Sequence, residues 1–279
     1  MKITFKTLLF LILIFQLFSC KKSNKEKIVE KKPVNEIISN SKVTTTNTKI
    51  DSTDNYSFPV DSILKVEILA TGNFHEDEVN EKTNEKKWFG LFKTLNGYKL
   101  YETELITKRV NDPVVDENEN DETGWEVNTT INDTCLILIE KLPYLTEREI
   151  ATIKIPETIH LGEKLNFSFS GINYTLFATG EKKREDENSD SFVVSNYKLY
   201  LTANKNGKEQ TELIVAQSNF DDKMIQIIFA GDIDGDNKLD LIIDTSNHYN
   251  VSRLTMYLSK PAEHGKIIKP IGMFTSVGC

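Results

Sequence analysis

The run Gly231-Asp232-Ile233-Asp234-Gly235-Asp236-Asn237-Lys238-Leu239-Asp240 constrains this chain more than any other stretch. It sets four aspartates at relative positions 1, 3, 5 and 9. Carboxylates this close repel one another unless a hard, oxygen-loving cation sits among them. Apolar residues lie on both sides, at 224–230 and at Leu241-Ile242-Ile243. A chain with this pattern has to fold as two strands joined by a tight loop wound around a charge.

Position by position, the loop narrows the choice of site. Asp232, Asp234 and Asp236 offer side-chain oxygens, Lys238 offers its backbone carbonyl, and Asp240 offers a fourth carboxylate. The sixth position needs a residue that tolerates φ > 0, and Asn237 is the next most tolerant after glycine. Position 12 is Ile243, which cannot ligate an ion, so the loop is not an EF-hand. The sequence from Gly231 to Asp240, followed by an apolar strand, resembles the calcium loops of FG-GAP and VCBS repeats. That resemblance implies one Ca²⁺ held by Asp232, Asp234, Asp236, the Lys238 carbonyl and Asp240. It covers about fourteen residues. One loop without a repeat licenses the ion and not a propeller.

The N-terminus reads as a targeting segment. Lys2 and Lys6 precede an almost wholly apolar stretch at 8–17, shorter than the ~20 residues a spanning helix requires. It ends in Leu17-Phe18-Ser19-Cys20, which resembles a bacterial lipobox. The resemblance implies removal of residues 1–19 and lipidation of Cys20 as the new N-terminus. The Lys- and Asn-rich start after Cys20 looks like lipoproteins of the Bacteroidetes, and Lys21 in place of an aspartate favours the outer membrane. Lys21, Lys22 and Lys25 precede the first acid, Glu26, so the resemblance leaves the periplasmic or surface face open. Residues 20–61 lack a hydrophobic period and read as a disordered tether, reaching on the order of 35 Å.

Charge partitions along the chain. Residues 21–50 hold eight lysines against three glutamates, and the signal holds two lysines. Residues 51–279 therefore carry −15 of a chain whose total is −8. A domain this acidic is unsuited to nucleic acid, which needs basic surface to displace counterions.

Residues 62–279 read as one β-rich domain, an antiparallel, hairpin-rich sandwich or barrel-like fold with few short helices, carrying the calcium loop at 232–240. Strands are expected at 63–70, 88–92, 98–106, 135–139, 165–169, 174–178, 192–203, 212–216, 224–230 and 241–244. Turns are expected at Asn96-Gly97, Ser170-Gly171 and Asn206-Gly207. A short helix is expected over 146–153, where Thr146 and Glu149 fit a capping box. The acidic stretches 116–122 and 181–190 read as solvated loops.

Little else carries chemistry. Cys135 and Cys279 remain outside the reducing cytoplasm, and a disulfide between them would tie the C-terminus to a core strand; two free thiols are the alternative. His75, His160, His248 and His264 make no zinc spacing. No nucleophile elbow, phosphate loop or dinucleotide fingerprint is present. Trp88 and Trp125 either stack on sugars or fill the β core. The chain therefore reads as a noncatalytic, lipid-anchored envelope protein that binds or scaffolds a protein or glycan partner. The alternatives are an extracytoplasmic hydrolase of glycans or peptides, and a structural envelope protein.

Overall fold

The computed structural model describes residues 56–185, 192–263 and 265–278. The signal peptide, Cys20, nearly all of the tether, His264 and Cys279 lie outside the described residues. In chain order, β1 (Ser57–Phe58), β2 (Ile68–Leu69) and β3 (Gly72–Phe74) are short, and 3-10 turns occupy Asp61–Ile63 and Glu81–Glu85. Next come β4 (Trp88–Thr94), β5 (Gly97–Thr103), β6 (Leu105–Val110), β7 (Gly124–Thr129), β8 (Thr134–Glu140) and β9 (Arg148–Ile150). Then follow β10 (Lys164–Phe169) and three long strands, β11 (Ile172–Arg184), β12 (Phe192–Lys205) and β13 (Lys208–Asn219). The last four are β14 (Gln226–Gly231), β15 (Asp240–Asp244), β16 (Val251–Leu258) and β17 (Lys269–Val277). No α-helix occurs among the described residues, and every strand pairing is antiparallel.

Four sheets form, ordered β1-β13-β12-β11-β10, β14-β15-β16-β17, β2-β8-β4-β5-β9 and β3-β7-β6. None closes into a barrel, so the sandwich alternative holds. The β14–β17 sheet lies in the middle, because both of its faces are buried. Phe229, Ile242, Met256, Leu258 and Phe274 pack with Trp88, Leu91, Leu138 and Val127. The opposite face carries Ile227, Leu241, Ile243 and Tyr257, which pack with Tyr174, Leu176, Leu199 and Val215. A strand buried on both sides has no solvent face to keep polar, which is why Leu241-Ile242-Ile243 reads as a continuous apolar run. Tyr257, fully buried, satisfies its hydroxyl by donating to the Ile214 carbonyl at 2.8 Å.

The hairpin signals meet the structure closely. Ser170 and Gly171 have φ of 48° and 78°, and Asn206 and Gly207 have φ of 54° and 77°. Both pairs are the left-handed two-residue turns whose twist matches the flanking strands. At the third signal the turn falls one residue earlier: Thr94 pairs with Gly97, leaving Leu95 and Asn96 as the loop.

Five expectations change. The strand expected over 98–106 breaks at Glu104 into β5 and β6, which join different sheets, and residues 181–184 of the expected acidic loop extend β11. Residues 146–153 form no helix; Arg148, Glu149 and Ile150 pair with Leu100, Lys99 and Tyr98 at the edge of β5. The Thr146 hydroxyl, expected to cap a helix, instead accepts from Arg148 Nη1 at 3.3 Å. An open sheet edge and burial of Ile150 outweigh a local capping preference. The folded region also begins before residue 62, because Ser57 and Phe58 pair with Gln217 and Ala216. Of the strand expected over 63–70, only Ile68–Leu69 is extended and paired.

Because the two clusters share one sheet, Leu241→Ala and Ile242→Ala open cavities on opposite faces. Each should cost about 2–5 kcal/mol. Urea unfolding followed by tryptophan fluorescence and by far-UV dichroism should remain a single coincident transition in both variants. Separate transitions for the two probes would contradict the shared middle layer.

Candidate metal centre

The loop is held from both sides before any ligand is considered. β14 ends at Gly231, where a Cβ would lie 2.5 Å from the Ala151 carbonyl, so only glycine allows the approach. There the segment after β9 pairs with the end of β14: Ile153 donates to Ala230 at 3.1 Å, and Asp232 donates to Ala151 at 2.9 Å. Ile233 then buries in one apolar cluster and Leu239 in the other. The two apolar side chains anchor the loop to both layers, which draws the intervening aspartates inward.

Asp232 shapes the turn. Its Oδ1 accepts from Gly235 N–H (2.7 Å) and Asp236 N–H (3.0 Å), and its Oδ2 from Asn237 N–H (3.1 Å). Gly235 has φ of 78° and Asn237 φ of 62°, so the sixth position adopts the left-handed backbone expected there. At Gly235 the positive φ favours glycine, and a Cβ would lie 2.9 Å from the Arg148 guanidinium carbon, which would have to swing aside. That guanidinium donates to the Ile233 carbonyl.

Asp240 opens β15 and is fully buried. Its Oδ2 accepts from Ile233 N–H (2.6 Å) and Asp234 N–H (3.0 Å), and its Oδ1 from Ser259 N–H (2.7 Å). Asp234 is 1% exposed; its Oδ2 accepts from Lys260 N–H at 2.8 Å, while its buried Oδ1 has no partner. One carboxylate oxygen each from Asp232, Asp234 and Asp240 lies within 4.8 Å of the others, and this buried triple could hold a metal ion. A buried carboxylate oxygen without a donor, on a residue that converges with two other carboxylates, is costly unless a cation is bound there.

Asp236 stands apart from the triad. Its Oδ2 pairs with the Lys238 ammonium at 2.7 Å, and its Oδ1 accepts from Lys238 N–H (2.9 Å) and the Ser259 hydroxyl (2.8 Å). Lys238 is thus placed by Asp236, through both its backbone and its side chain. The Lys260 ammonium goes to the Asp234 backbone carbonyl at 3.3 Å, not to its carboxylate. The positive charges around the loop therefore serve Asp236 and backbone carbonyls.

The electrostatics follow the same division. Burial pushes the Asp234 carboxyl up to about 6, with Asp236 and Asp232 adding repulsion against the Lys260 N–H. Burial, then repulsion from Asp234, holds Asp240 well above the ordinary carboxylate range. Asp236 feels burial too, but Lys238 and Ser259 outweigh it and leave that carboxyl lowered. Two carboxylates that resist ionisation beside a third are the arrangement that a divalent cation relieves.

Other residues singled out in the sequence lie elsewhere. Trp88 is buried and donates to the Thr83 carbonyl at 2.9 Å; Trp125 lies beneath the Arg109 guanidinium, 3.7 Å from its ring centre. Both fill the core, and neither offers a face for a sugar. His248 pairs with Asp221 at 3.1 Å and stacks on Tyr249 in a surface turn. Asp116 accepts from Asp112 N–H (2.7 Å) and the Thr123 hydroxyl (2.6 Å), which ties down its own loop. Burial pushes the half-buried Cys135 thiol up to about 12, and it donates to the Ile137 carbonyl at 3.4 Å. Its pairing with Cys279 lies outside the described residues.

One constellation was not legible in the sequence. His75 Nδ1 lies 2.5 Å from Oδ2 of the buried Asp112, across a separation of 37 residues that no spacing rule links. Comparison with protein families, with curated proteins and with solved structures found no match for this chain.

The hydrogen bond to Asp112 raises His75 above its ordinary 6.5, against an opposing effect of burial. The same bond to His75 lowers Asp112, again against burial. The His75 contribution is therefore complete below about pH 6.5 and fades as pH climbs through its raised folded value. The Asp112 contribution is complete above about pH 3.8 and fades as pH falls through its lowered folded value. The melting difference between wild type and His75→Gln should peak between those limits, near about pH 5.5, and shrink by about pH 9. A difference independent of pH would show the pair to be uncharged.

Proposed function

We propose that the chain is a lipid-anchored envelope protein whose β-rich domain is clipped by one calcium ion and serves to bind or scaffold a partner. The observation that carries the clip is the convergence of three buried aspartates, one of which, Asp234, keeps a buried carboxylate oxygen without a hydrogen-bond partner. Calcium binds oxygen at about 2.3–2.6 Å, so ligands on opposite sides of the ion lie roughly 4.6–5.2 Å apart. Oxygens within 4.8 Å of one another can all reach a single ion at such distances. Magnesium needs shorter, near-octahedral bonds and keeps its waters, a poorer match to three preplaced carboxylates. Asp236 and the Lys238 carbonyl complete the proposed shell if the Asp236 carboxylate exchanges its lysine for the ion.

A structural task suits the position. Asp234 and Asp240 hold the N–H groups of Lys260 and Ser259, directly after β16, and the loop base pairs with the segment after β9. An ion there ties three separate stretches of chain to the corner of the middle sheet. The membrane anchor rests on the lipobox resemblance at Cys20, and the acidic domain supports a cation-rich setting outside the cytoplasm.

Extracytoplasmic sites of this kind bind at about 10⁻⁴–10⁻³ M, so 10 mM calcium should stabilise by about 1.4–2.7 kcal/mol. For a domain of this size that is a rise in Tm on the order of 5–10 °C over the EDTA-treated protein. Asp234→Ala should abolish the calcium response. Identical wild-type melts in calcium and EDTA would reject the clip.

The anchor is tested separately. Expressed as a precursor, wild type should partition into Triton X-114 and carry label from a radioactive fatty acid. Cys20→Ala should lose both, and a labelled, detergent-phase Cys20→Ala protein would contradict lipidation there.

A further inference from the structure

β17 is the outermost strand of the middle sheet: β16 pairs along one of its edges, and no described strand pairs along the other. An antiparallel ladder turns the backbone groups of successive residues alternately toward and away from the partner. Bonds at the ends of β17 establish which residues face away. The Ile271 carbonyl accepts from Val66 N–H at 3.0 Å, and Val277 N–H donates to Glu78 Oε1 at 2.5 Å, both on the far side from β16. Gly278 N–H donates back to Asn250, toward β16, at 2.8 Å. Met273 and Thr275 therefore direct their N–H and C=O groups away from β16, between two closed ends.

That open stretch faces a cleft. Met273 and Thr275 line it together with Ile68 and Leu69 of β2, itself the outermost strand of its own sheet, and its volume is about 850 Å³. The exposed Val114 and Val115 extend its apolar lining. Asp61, Glu67, Asp77 and Glu78 also line it, and no lysine or arginine does. Glu67 is neutralised by Lys86 at 2.6 Å, and Glu78 is engaged with the backbone of His75 and Val277. Asp61 and Asp77 stand exposed at the mouth.

We propose that this cleft docks an extended, lysine- or arginine-bearing peptide segment of a partner protein, which adds a strand to the open edge of β17. The proposal rests on the binding role inferred above and supplies its place and its ligand chemistry. Strand addition uses main-chain hydrogen bonds for affinity and alternate side chains for specificity. Met273 and Thr275 offer the first, at the two-residue spacing of a ladder. The second comes from apolar side chains set on the valines while basic ones reach Asp61 and Asp77. Acidic surface also disfavours pairing of this edge with a second copy of the same chain, the usual hazard of an uncovered strand.

The test uses the full chain in calcium, with a synthetic blocked nonapeptide of alternating lysine and valine as the probe. A glutamate–valine peptide of equal length is the control. The lysine peptide should bind, and hydrogen exchange should slow at the Met273 and Thr275 amides. Thr275→Pro, which removes an N–H pointing away from β16, should abolish binding. The double variant Asp61→Asn, Asp77→Asn, which leaves the strand untouched, should weaken it about fivefold. Absence of binding, equal binding of the glutamate peptide, or binding without slowed exchange in β17 would overturn the proposal. So would self-association of the chain through β17 in place of peptide binding. The calcium melt is read without peptide, so a failed titration leaves the clip standing, and a failed melt leaves the docking test valid.

Discussion

Burial of the β14–β17 sheet on both faces is the constraint on which the rest of the architecture depends. Adjacent residues of β15 point into different clusters, with Leu241 and Ile243 on one side and Ile242 on the other. The β1-β13-β12-β11-β10 sheet buries one face against the β14–β17 sheet and can keep a solvated side. In β11 the buried Tyr174, Leu176 and Ala178 alternate with more exposed residues. Apolar burial is worth about 25 cal/mol per Å², so a strand that buries both faces contributes more per residue than one that buries a single face.

The acidic loop takes its character from that layer. Ile233 and Leu239 reach the same two clusters as β15, and the backbone between them cannot lift its carboxylates into water without withdrawing those anchors. Three aspartates are thereby buried together, and the nearby cations are occupied by Asp236 and by carbonyl oxygens. Removing carboxylates from water costs several kcal/mol each unless the charge is paired. Seven backbone N–H groups supplied to Asp232, Asp234 and Asp240 offset part of this, and Asp234 Oδ1 receives none. The proposed calcium would supply the missing counter-charge at the point where the loop is least satisfied.

Legibility in the sequence followed the range of the interaction. The turns at Ser170-Gly171 and Asn206-Gly207 could be read because positive φ is a property of one or two residues. The Asn237 conformation could be read for the same reason. The 146–153 segment could not, since its capping box is a local preference and the edge of β5 that overrides it is some fifty residues away. β16 and β17 carry no clear strand signal, because burial on two faces, with a bulge between Met256 and Tyr257, erases the simple alternation that marks a half-exposed strand. Asp236 has the right spacing for a ligand, and its diversion to Lys238 and Ser259 depends on a residue 23 positions away.

The sequence by itself determined that four carboxylates and two apolar strands meet in one tight loop, that the fold is β, and that its domain is acidic. These are properties of spacing, turn chemistry and composition, which act over a few residues. Only the tertiary structure decided which three carboxylates converge, because that depends on how deeply Ile233 and Leu239 sink into separate clusters. It likewise decided that Trp88 and Trp125 are core, that Asp112 holds His75, and that β17 keeps an edge open. Each outcome rests on which distant surfaces pack, and packing is settled by the whole chain at once.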